Sequence, residues 1–386
     1  MDLHLESIKL NRFRNYDEFS LDSIGPLTIF VGQNAVGKTN VLEALQLCTA
    51  LSSFRHPTSE QMIKEGSDSA RVEVHETDGN RDLTLSMGVE KGQRRYQLNG
   101  KSKPIVDLKG LLPAVIFTPD DLALAKSSSG VKRDAIDDLG SQLTKNYYII
   151  KRDYEKVIKY KNRLLKEEAP TEFVKSINDT LITCAAQLAF YRIELFGRIV
   201  AALKENYRLI SDGEELSVGY YPSWSAREFA DIPPRINRDF IKDSLDCALD
   251  EDFSEERARK RSIVGPHADK IKIFINGRDV SSYASQGQRR SVVLAWKIAE
   301  VAVIRESLRQ NPILLLDDVM SELDASRREA LLSLVEGDIQ TFITTTTLDY
   351  FEEGFLNRAS IVFLPADRKR IDLKCQSRVN SGRAGL

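Results

Sequence analysis

The chain has 386 residues, of which 42% are hydrophobic and 29% are charged. This length suits two or three domains, and the composition excludes wholesale disorder. The 55 basic and 57 acidic residues leave a net charge of −2, which excludes a general attraction to nucleic acid, so any such contact must be local. No apolar run is long enough to span a bilayer and the first residues form no signal peptide, so we expect a cytoplasmic protein without a membrane partner.

The first part of the chain reads as a strand, a loop and a helix. Apolar residues alternate with polar ones from Leu3 to Leu10, and a short apolar run at residues 27–31 predicts a buried strand. A glycine-rich turn follows at Gly32. From Asn40 the apolar spacing is that of a helix.

The loop between this strand and helix matches G-x-x-x-x-G-K-[ST] at every fixed position. In such a loop the glycines let backbone N–H groups turn toward phosphate oxygens, while the lysine adds charge and the threonine hydroxyl serves Mg²⁺. We therefore predict that ATP and Mg²⁺ bind here, with Lys38 also acting in catalysis and Thr39 as a metal ligand. The predicted nucleotide-binding residues are Gly32, Gln33, Asn34, Ala35, Val36, Gly37, Lys38, Thr39 and Asn40.

The middle of the chain changes from sheet to helix. Residues 70–103 alternate apolar and polar, and the turn signals Asp78-Gly79 and Asn99-Gly100 predict an antiparallel sheet. After a polar break at residues 126–130 the pattern is helical, with two helices joined near Pro170. These helices suit either the core of a compact lobe or a protruding hairpin. The acid-rich residues 211–256 predict an irregular solvated surface.

The last third of the chain returns to alternating strands and helices. We predict a strand at residues 271–275, a helix from Gln286, a strand at 313–316, a helix from Arg327 and a strand near 341–344. This order is typical of the C-terminal half of a parallel sheet. The tail from Gln376 is small and polar, which favours disorder, and the scattered cysteines Cys48, Cys184, Cys247 and Cys375 predict reduced thiols.

Two motifs in this last third add to the phosphate loop. The strand at 313–316 ends in Asp317 and Asp318, which we predict to hold Mg²⁺ and to orient the attacking water, respectively. Ser285, Gln286, Gly287 and Gln288 stand where a helix begins and suit a second phosphate contact. Taken alone, the latter pattern is also that of a serine N-cap beside an incidental glycine.

In this order, the three motifs together with residues 321–324 resemble the ABC ATPases, and the details resemble the RecF family of their SMC-like branch. Those details lie at residues 11–16, 31–40, 53–55, 118–122, 264–269, 285–290 and 314–324. The resemblance implies an α/β fold, namely a P-loop ABC-type ATPase head with an antiparallel β subdomain and an inserted helical lobe. We expect the ATPase lobe at residues 1–129 and 257–386 and the helical lobe at 130–256.

The resemblance also implies how the nucleotide is used. It implies an ATP-dependent homodimer in which the P-loop of one protomer and Ser285, Gly287 and Gln288 of the other enclose ATP, with Asp324 at the interface. Asp318 stands where most ABC relatives have glutamate, and threonines at 344–347 stand where many have a histidine. RecF-like sequences share both features, which favours this resemblance, and we expect slow hydrolysis that serves as a switch.

The resemblance alone implies that the protein binds DNA and works with RecO, RecR and, indirectly, RecA. It also implies a role in the repair of gaps and stalled replication forks. The basic residues that suit duplex or gapped DNA are Arg12, Arg14, Arg94, Arg95, Lys151 and Arg152. Each of these clusters is equally typical of a solvated face. An ABC transporter ATPase subunit or a structural SMC-like tether remains the alternative interpretation.

Overall fold

The structure is a computed structural model that describes residues 3–127, 129–211, 213–225, 229–230, 236–335, 338–365 and 370–374. The chain forms two compact units: the first unit contains Met1–Asp120 and Ile304–Leu386, and the second unit contains Asp121–Val303. Cys48, Cys184 and Cys247 are free thiols, whereas Cys375 and the predicted tail from Gln376 lie outside the described residues. No helix in these ranges is long and apolar enough to cross a membrane.

The strands, in chain order, are β1 (His4–Asn11), β2 (Glu18–Asp22), β3 (Leu27–Val31), β4 (Ser69–Thr77), β5 (Asp82–Glu90), β6 (Gln93–Leu98), β7 (Lys101–Lys103), β8 (Ala114–Phe117), β9 (Leu216–Tyr221), β10 (Phe229–Ala230), β11 (Lys270–Ile275), β12 (Arg278–Asp279), β13 (Ile313–Asp317), β14 (Thr341–Thr345), β15 (Ser360–Phe363) and β16 (Arg370–Lys374).

The helices are α1 (Lys38–Cys48), α2 (Ser59–Met62), α3 (Ile105–Leu108), α4 (Leu122–Lys126), α5 (Ser129–Leu143), α6 (Lys145–Lys166), α7 (Thr171–Lys175), α8 (Asn178–Ile210), α9 (Arg238–Glu251), α10 (Phe253–Arg259), α11 (Val280–Tyr283), α12 (Gln286–Leu308), α13 (Ala325–Val335) and α14 (Glu353–Leu356). Single 3-10 turns occupy Pro119–Asp121 and Val319–Ser321.

A parallel sheet of order β15-β3-β14-β13-β8 forms the centre of the first unit. β3, β13 and β14 are buried along their whole length, as expected for strands covered on both faces. The predicted parallel sheet and its strands near residues 27, 313 and 341 are confirmed. Because β14 lies between β3 and β13, the residues that follow these three strands meet at one edge of the sheet.

The first unit also contains the predicted antiparallel sheet, which has the order β16-β2-β1-β4-β5-β6-β7. Asn99 and Gly100 both have positive φ, at 49° and 73°, which the turn between β6 and β7 requires. In β1 the register shifts between Leu5 and Ser7, so Leu5 and Ile8 are both buried although they are three residues apart. The edge strand β16 comes from the C-terminal part of the chain and pairs in parallel with β2. No local pattern in the sequence predicted this pairing.

The second unit packs long helices against the sheet β10-β9-β11-β12. Its α6 contacts α8, as the predicted helix pair requires. The helical series after Pro170 is interrupted, because α7 ends at Lys175 and α8 begins at Asn178. The prediction of an irregular segment at residues 211–256 was wrong, since β9, α9 and part of α10 lie there. In α9 a single stripe of Ile241, Leu245 and Leu249 is buried, and the surrounding acidic residues concealed it.

A network of buried polar groups fixes the inside of the second unit. The guanidinium of Arg192 on α8 donates two hydrogen bonds of 2.8 Å to the carboxylate of Asp137 on α5 and another to the carbonyl of Pro266. The hydroxyl of Tyr220 donates to Asp269, whose carboxylate also accepts from Ser223. Because buried charges are tolerated only when paired, the segment at residues 264–269 supports the fold of this unit.

Candidate nucleotide site

The P-loop of the first unit follows β3 and packs closely against residues near the end of β1. Gly37 has φ of 109°, and a Cβ placed there would lie 2.6 Å from the hydroxyl of Tyr16 and 2.7 Å from the amide nitrogen of Asn15. Asn15 donates to the carbonyl of Val36 over 3.4 Å. Glycine is therefore required at position 37 for both its backbone angle and its lack of a side chain.

The ammonium of Lys38 lies within its own loop. It donates to the carbonyls of Gly32, at 2.6 Å, and Gln33, at 3.0 Å. Burial lowers the pKa of Lys38, and the charges of Asp318 and Asp317 partly offset this effect. The loop thus concentrates backbone N–H groups and one cation at the start of α1, which is an anion-binding arrangement.

Thr39 and Asp317 meet at the edge of the parallel sheet although they are 278 positions apart in sequence. The hydroxyl of Thr39 donates to Asp317 Oδ1 over 3.0 Å, and the hydroxyl of Thr344 at the end of β14 donates to the same oxygen over 2.7 Å. The backbone N–H of Asp318 donates to Thr344 Oγ1 over 3.0 Å. Thr344 therefore orients both acids of the motif that follows β13.

The two adjacent acids have raised pKa values. Burial raises the pKa of Asp317, and hydrogen bonds from Thr344 and Thr39 work in the opposite direction. Burial also raises the pKa of Asp318, which the charge of Lys38 opposes and that of Asp317 reinforces. Asp318 has φ of 52°, a left-handed conformation that aspartate adopts more readily than most residues. A cation at this edge would relieve the repulsion between the two carboxylates.

The donor set fits Mg²⁺. This ion takes one or two protein oxygens together with substrate phosphates and water, and Thr39 and Asp317 supply two such oxygens side by side. Asp318 Oδ1 is buried and has no hydrogen-bond partner in the described part of the chain, so it can accept a bond from water. The described residues contain no cluster of three or more His, Cys, Asp or Glu side chains suited to a metal, which P-loop magnesium does not need.

Behind the P-loop lies the Glu43 cluster, which consists of Arg14, Glu43, Ser53 and Arg55. The carboxylate of Glu43 on α1 is fully buried and accepts hydrogen bonds of 2.8 and 2.7 Å from Arg14. Ser53 donates to it over 2.7 Å, and Arg55 lies 3.5 Å away. Bidentate guanidinium–carboxylate pairs hold both groups in a fixed geometry, so this cluster fixes α1 directly after the P-loop.

A second chain of contacts joins the Glu43 cluster to the P-loop itself. Arg55 donates to the side-chain oxygen of Asn40 over 2.7 Å, and the amide nitrogen of Asn40 donates to Asn15 over 2.7 Å. The segments at residues 11–16 and 53–55 are thus both placed against the P-loop and α1. The sequence signals Glu43 only as a charged residue between the apolar Leu42 and Ala44, and a buried charge requires a partner.

In the second unit the Ser285–Gln288 turn begins α12. The N–H of Ser285 donates to Gln288 Oε1 over 2.8 Å, and the N–H of Gln288 donates to Ser285 Oγ over 3.2 Å. This reciprocal pair is a capping box, which satisfies two backbone donors at the start of the helix. Ser285 and Gln286 are exposed, while Gly287 and Gln288 are half-buried.

The remaining predicted interface residue, Asp324, precedes α13. Asp324 Oδ1 accepts from the N–H of Arg327 over 3.0 Å, so it caps the helix, and the two side chains form an ion pair. The side chain of Asp324 is 54% exposed. It has a local structural role and is also accessible.

The six basic residues predicted to contact DNA differ in exposure. Arg14 and Lys151 are 17% and 19% exposed and are paired with Glu43 and Asp138. Arg94 donates to the carbonyl of Pro57. Arg94 is nevertheless exposed, as are Arg12, Arg95 and Arg152, and Arg152 contacts the neighbouring Asp153.

The parallel sheet, the P-loop at the end of β3 and the acids at the end of β13 define a P-loop ATPase of the ABC type. The model of the RecF/RecN/SMC N terminal domain family matches residues 4–368, and the chain belongs to this family.

Curated relatives match nearly the whole chain. The DNA replication and repair protein RecF of Alkaliphilus oremlandii is 33% identical over 354 residues, which cover 90% of this chain and 95% of that relative. The protein of the same name from Heliobacterium modesticaldum is 34% identical over 372 residues, covering 94% and 98%.

Solved structures agree with this assignment. The recombination mediator protein RecF bound to ATP, of the RecFOR pathway, aligns with a TM-score of 0.83 at 28% identity and covers 91% of this chain and 94% of that one. A Pyrococcus furiosus Smc head domain aligns with a TM-score of 0.51 at 16% identity, covers 94% of this chain and 93% of that chain, and shares the fold.

Proposed function

We propose that this protein is an ATP-dependent DNA-binding protein of recombinational repair. It dimerises on binding ATP, acts at gaps and stalled replication forks in the cytoplasm, and helps RecO and RecR load RecA. The observation that carries the proposal is the contact between Thr39 and Asp317, which brings the P-loop and the acidic motif together at one edge of the sheet. The curated relatives named for DNA replication and repair, together with the ATP-bound mediator structure, support the biological role.

In this proposal the P-loop and the adjacent acids hold the nucleotide and its metal. The backbone N–H groups of residues 32–40 and the ammonium of Lys38 bind phosphate oxygens. Thr39 and Asp317 would hold Mg²⁺, which would supply positive charge beside the phosphate oxygens. Thr344 keeps the carboxylate of Asp317 oriented through its hydrogen bond of 2.7 Å.

Asp318 orients the attacking water. Its buried Oδ1 has no hydrogen-bond partner among the described residues, and burial raises its pKa toward the range in which a carboxylate accepts a proton more readily. The side chain is one methylene shorter than glutamate and the backbone is in a left-handed conformation. Both features restrict its reach, so we propose slow turnover suited to a switch.

The Ser285–Gln288 turn acts on the nucleotide of the second protomer. Its exposed serine and its position at the start of α12 suit a phosphate oxygen. Gly287 allows close approach of the backbone, and Asp324 lies at the same interface. The ATPase lobe is assigned to residues 1–129 and 257–386 and the helical lobe to 130–256.

DNA is held through phosphate contacts, so binding tolerates sequence changes and weakens as salt rises. Among the six predicted residues, exposure favours Arg12, Arg94, Arg95 and Arg152, whereas Arg14 and Lys151 are engaged with carboxylates of the same chain. The exposed Lys101 and Lys103 on β7 pair with Leu98 and Tyr96 of β6, so they lie on the face of the sheet that carries Arg94 and not on that of Arg95.

Analytical ultracentrifugation with and without ATP, and with and without gapped duplex, tests the proposal. We expect the wild type to dimerise only with ATP and to bind gapped duplex more tightly as a dimer. Lys38→Ala abolishes ATP-dependent dimerisation, whereas Ser285→Arg retains nucleotide binding and blocks dimers. Lys126→Ala, an exposed lysine outside the site, serves as the control. Dimers of equal strength without ATP would contradict the proposal.

A further inference from the structure

The Ser285–Gln288 turn is held by a carboxylate from a distant part of the second unit. Glu214 lies between α8 and β9, 74 positions before Gln288, and its Oε1 accepts a hydrogen bond of 2.6 Å from Gln288 Nε2. Its other oxygen, Oε2, accepts a bond of 2.5 Å from the hydroxyl of Tyr207. We name Tyr207, Glu214, Ser285 and Gln288 the Glu214 network.

The orientation of the Gln288 amide in this network is unambiguous. The backbone N–H of Ser285 can only donate, so it must face the oxygen of the Gln288 side chain, at 2.8 Å. An ionised carboxylate can only accept, so Glu214 must face the nitrogen. Both ends of the Gln288 amide are therefore bound by partners that require this one orientation, and the side chain is held in place.

The network also reaches the longest helix of the second unit. Tyr207 is fully buried in the last turn of α8, which has 33 residues. Its hydroxyl is hydrogen-bonded to one oxygen of Glu214, the other oxygen of Glu214 is hydrogen-bonded to Gln288, and Gln288 is hydrogen-bonded to Ser285. A rotation or shift of the end of α8 would pull on Glu214 and so alter the capping box at the start of α12.

We propose that Glu214 is a positioning residue that, through Gln288, keeps the turn in the conformation in which Ser285 and Gly287 contact the partner's nucleotide, and that it couples α8 to this turn. The inference rests on the proposed function, in which the turn acts across a dimer. It assigns Gln288 to the support of the turn and leaves the Ser285 hydroxyl and the backbone of Gly287 as the groups that reach the nucleotide.

Three variants test this assignment. Glu214→Ala removes both contacts, and Tyr207→Phe removes only the one to α8. Glu214→Gln keeps both contacts, because the amide oxygen of the new side chain can accept from Gln288 while its amide nitrogen donates to the Tyr207 hydroxyl. Glu215→Ala is a matched control, since Glu215 is the exposed neighbour and its backbone N–H donates to Asn276 independently of its side chain.

We expect Glu214→Ala to bind a fluorescent ATP analogue as a monomer within about twofold of the wild type, because the P-loop is intact. Its ATP-dependent dimerisation should weaken about tenfold, as expected when a charge-assisted hydrogen bond is lost. In steady-state hydrolysis kcat should fall with little change in KM. Glu214→Gln should recover most of the loss, and Tyr207→Phe should show about a threefold loss.

Amide hydrogen exchange separates this inference from the proposed function. In Glu214→Ala the amides of Ser285 and Gln288 should exchange about tenfold faster than in Glu215→Ala, whether or not the protein dimerises. Unchanged exchange and unchanged dimerisation in Glu214→Ala would overturn the positioning role. A wild type that does not dimerise with ATP would refute the proposed function, and the exchange rates would still decide whether Glu214 holds the turn.

Discussion

The P-loop and the Ser285–Gln288 turn both present backbone N–H groups at the start of a helix, but the chain holds them in different ways. The P-loop is shaped by its own glycines and by contacts at the edge of the parallel sheet, with the buried Glu43 cluster behind it. The Ser285–Gln288 turn has a half-exposed capping box and depends on one carboxylate between α8 and β9. The first arrangement rests on many contacts around the loop, whereas the second rests on few and, in our proposal, is coupled to the end of α8.

This comparison predicts that removal of Glu43 has the largest effect on stability. Glu43→Ala leaves Arg14 without its buried carboxylate, and we expect the free energy of unfolding to fall by about 4 kcal/mol. Urea denaturation followed by circular dichroism measures the change. The control is Glu90→Ala, an exposed glutamate of the same unit, which should change stability by less than about 0.5 kcal/mol. Equal stability of the two variants would show that the Glu43 cluster does not support the P-loop.

The second prediction separates chemistry from support within the first unit. Asp318→Asn keeps the size of the side chain and tolerates the left-handed backbone, but it replaces the carboxylate, which can accept a proton from water, with a neutral amide. We expect ATP turnover to fall about 100-fold, within the range for loss of a general base, while nucleotide affinity stays within about twofold. Phosphate release and a fluorescent nucleotide provide the two measurements. Turnover close to the wild-type value would exclude Asp318 from the reaction.

How far the sequence predicted these regions depends on where the supporting residues lie. Contiguous motifs identified the P-loop and the acids at the end of β13, and the apolar runs identified β3, β13 and β14 of the parallel sheet but not β8 and β15. Thr344, Glu43 and Glu214 were not assigned these supporting roles, because their partners lie in other segments and no spacing rule connects them. The same reason explains the unpredicted pairing of β16 with β2. The residues that take part in the chemistry could be identified from the sequence. The residues that hold them in place could be identified only from the fold.

A buried carboxylate without a partner provides the third test, as a contrast to Glu43. Glu76 on β4 is fully buried, neither of its oxygens has a hydrogen-bond partner among the described residues, and burial raises its pKa from 4.5 to about 8. A raised folded pKa means that this residue's contribution to stability is complete below its unfolded pKa of 4.5 and is lost as the pH rises through about 8.

Glu76→Gln stays neutral, so its unfolding free energy should be close to that of the wild type at about pH 5 and clearly higher at about pH 9. Thermal denaturation across this pH range measures the difference. Glu90→Gln, at an exposed position, should follow the wild type at every pH. A Glu76→Gln variant with the same pH dependence as the wild type would mean that Glu76 is ionised and paired in the folded protein.

The smallest expected effect concerns the capping box of the second unit. Ser285→Ala removes the acceptor of the Gln288 N–H and should cost about 1 kcal/mol locally, while Ser285→Thr keeps a hydroxyl and should cost less. Amide exchange at Gln288 should therefore rise about fivefold in the alanine variant and little in the threonine variant. Because the P-loop lies in the other unit, nucleotide binding by the monomer should not change in either. If Ser285→Ala left exchange at Gln288 unaltered, Glu214 alone would hold the turn, and the contrast with the P-loop would become sharper.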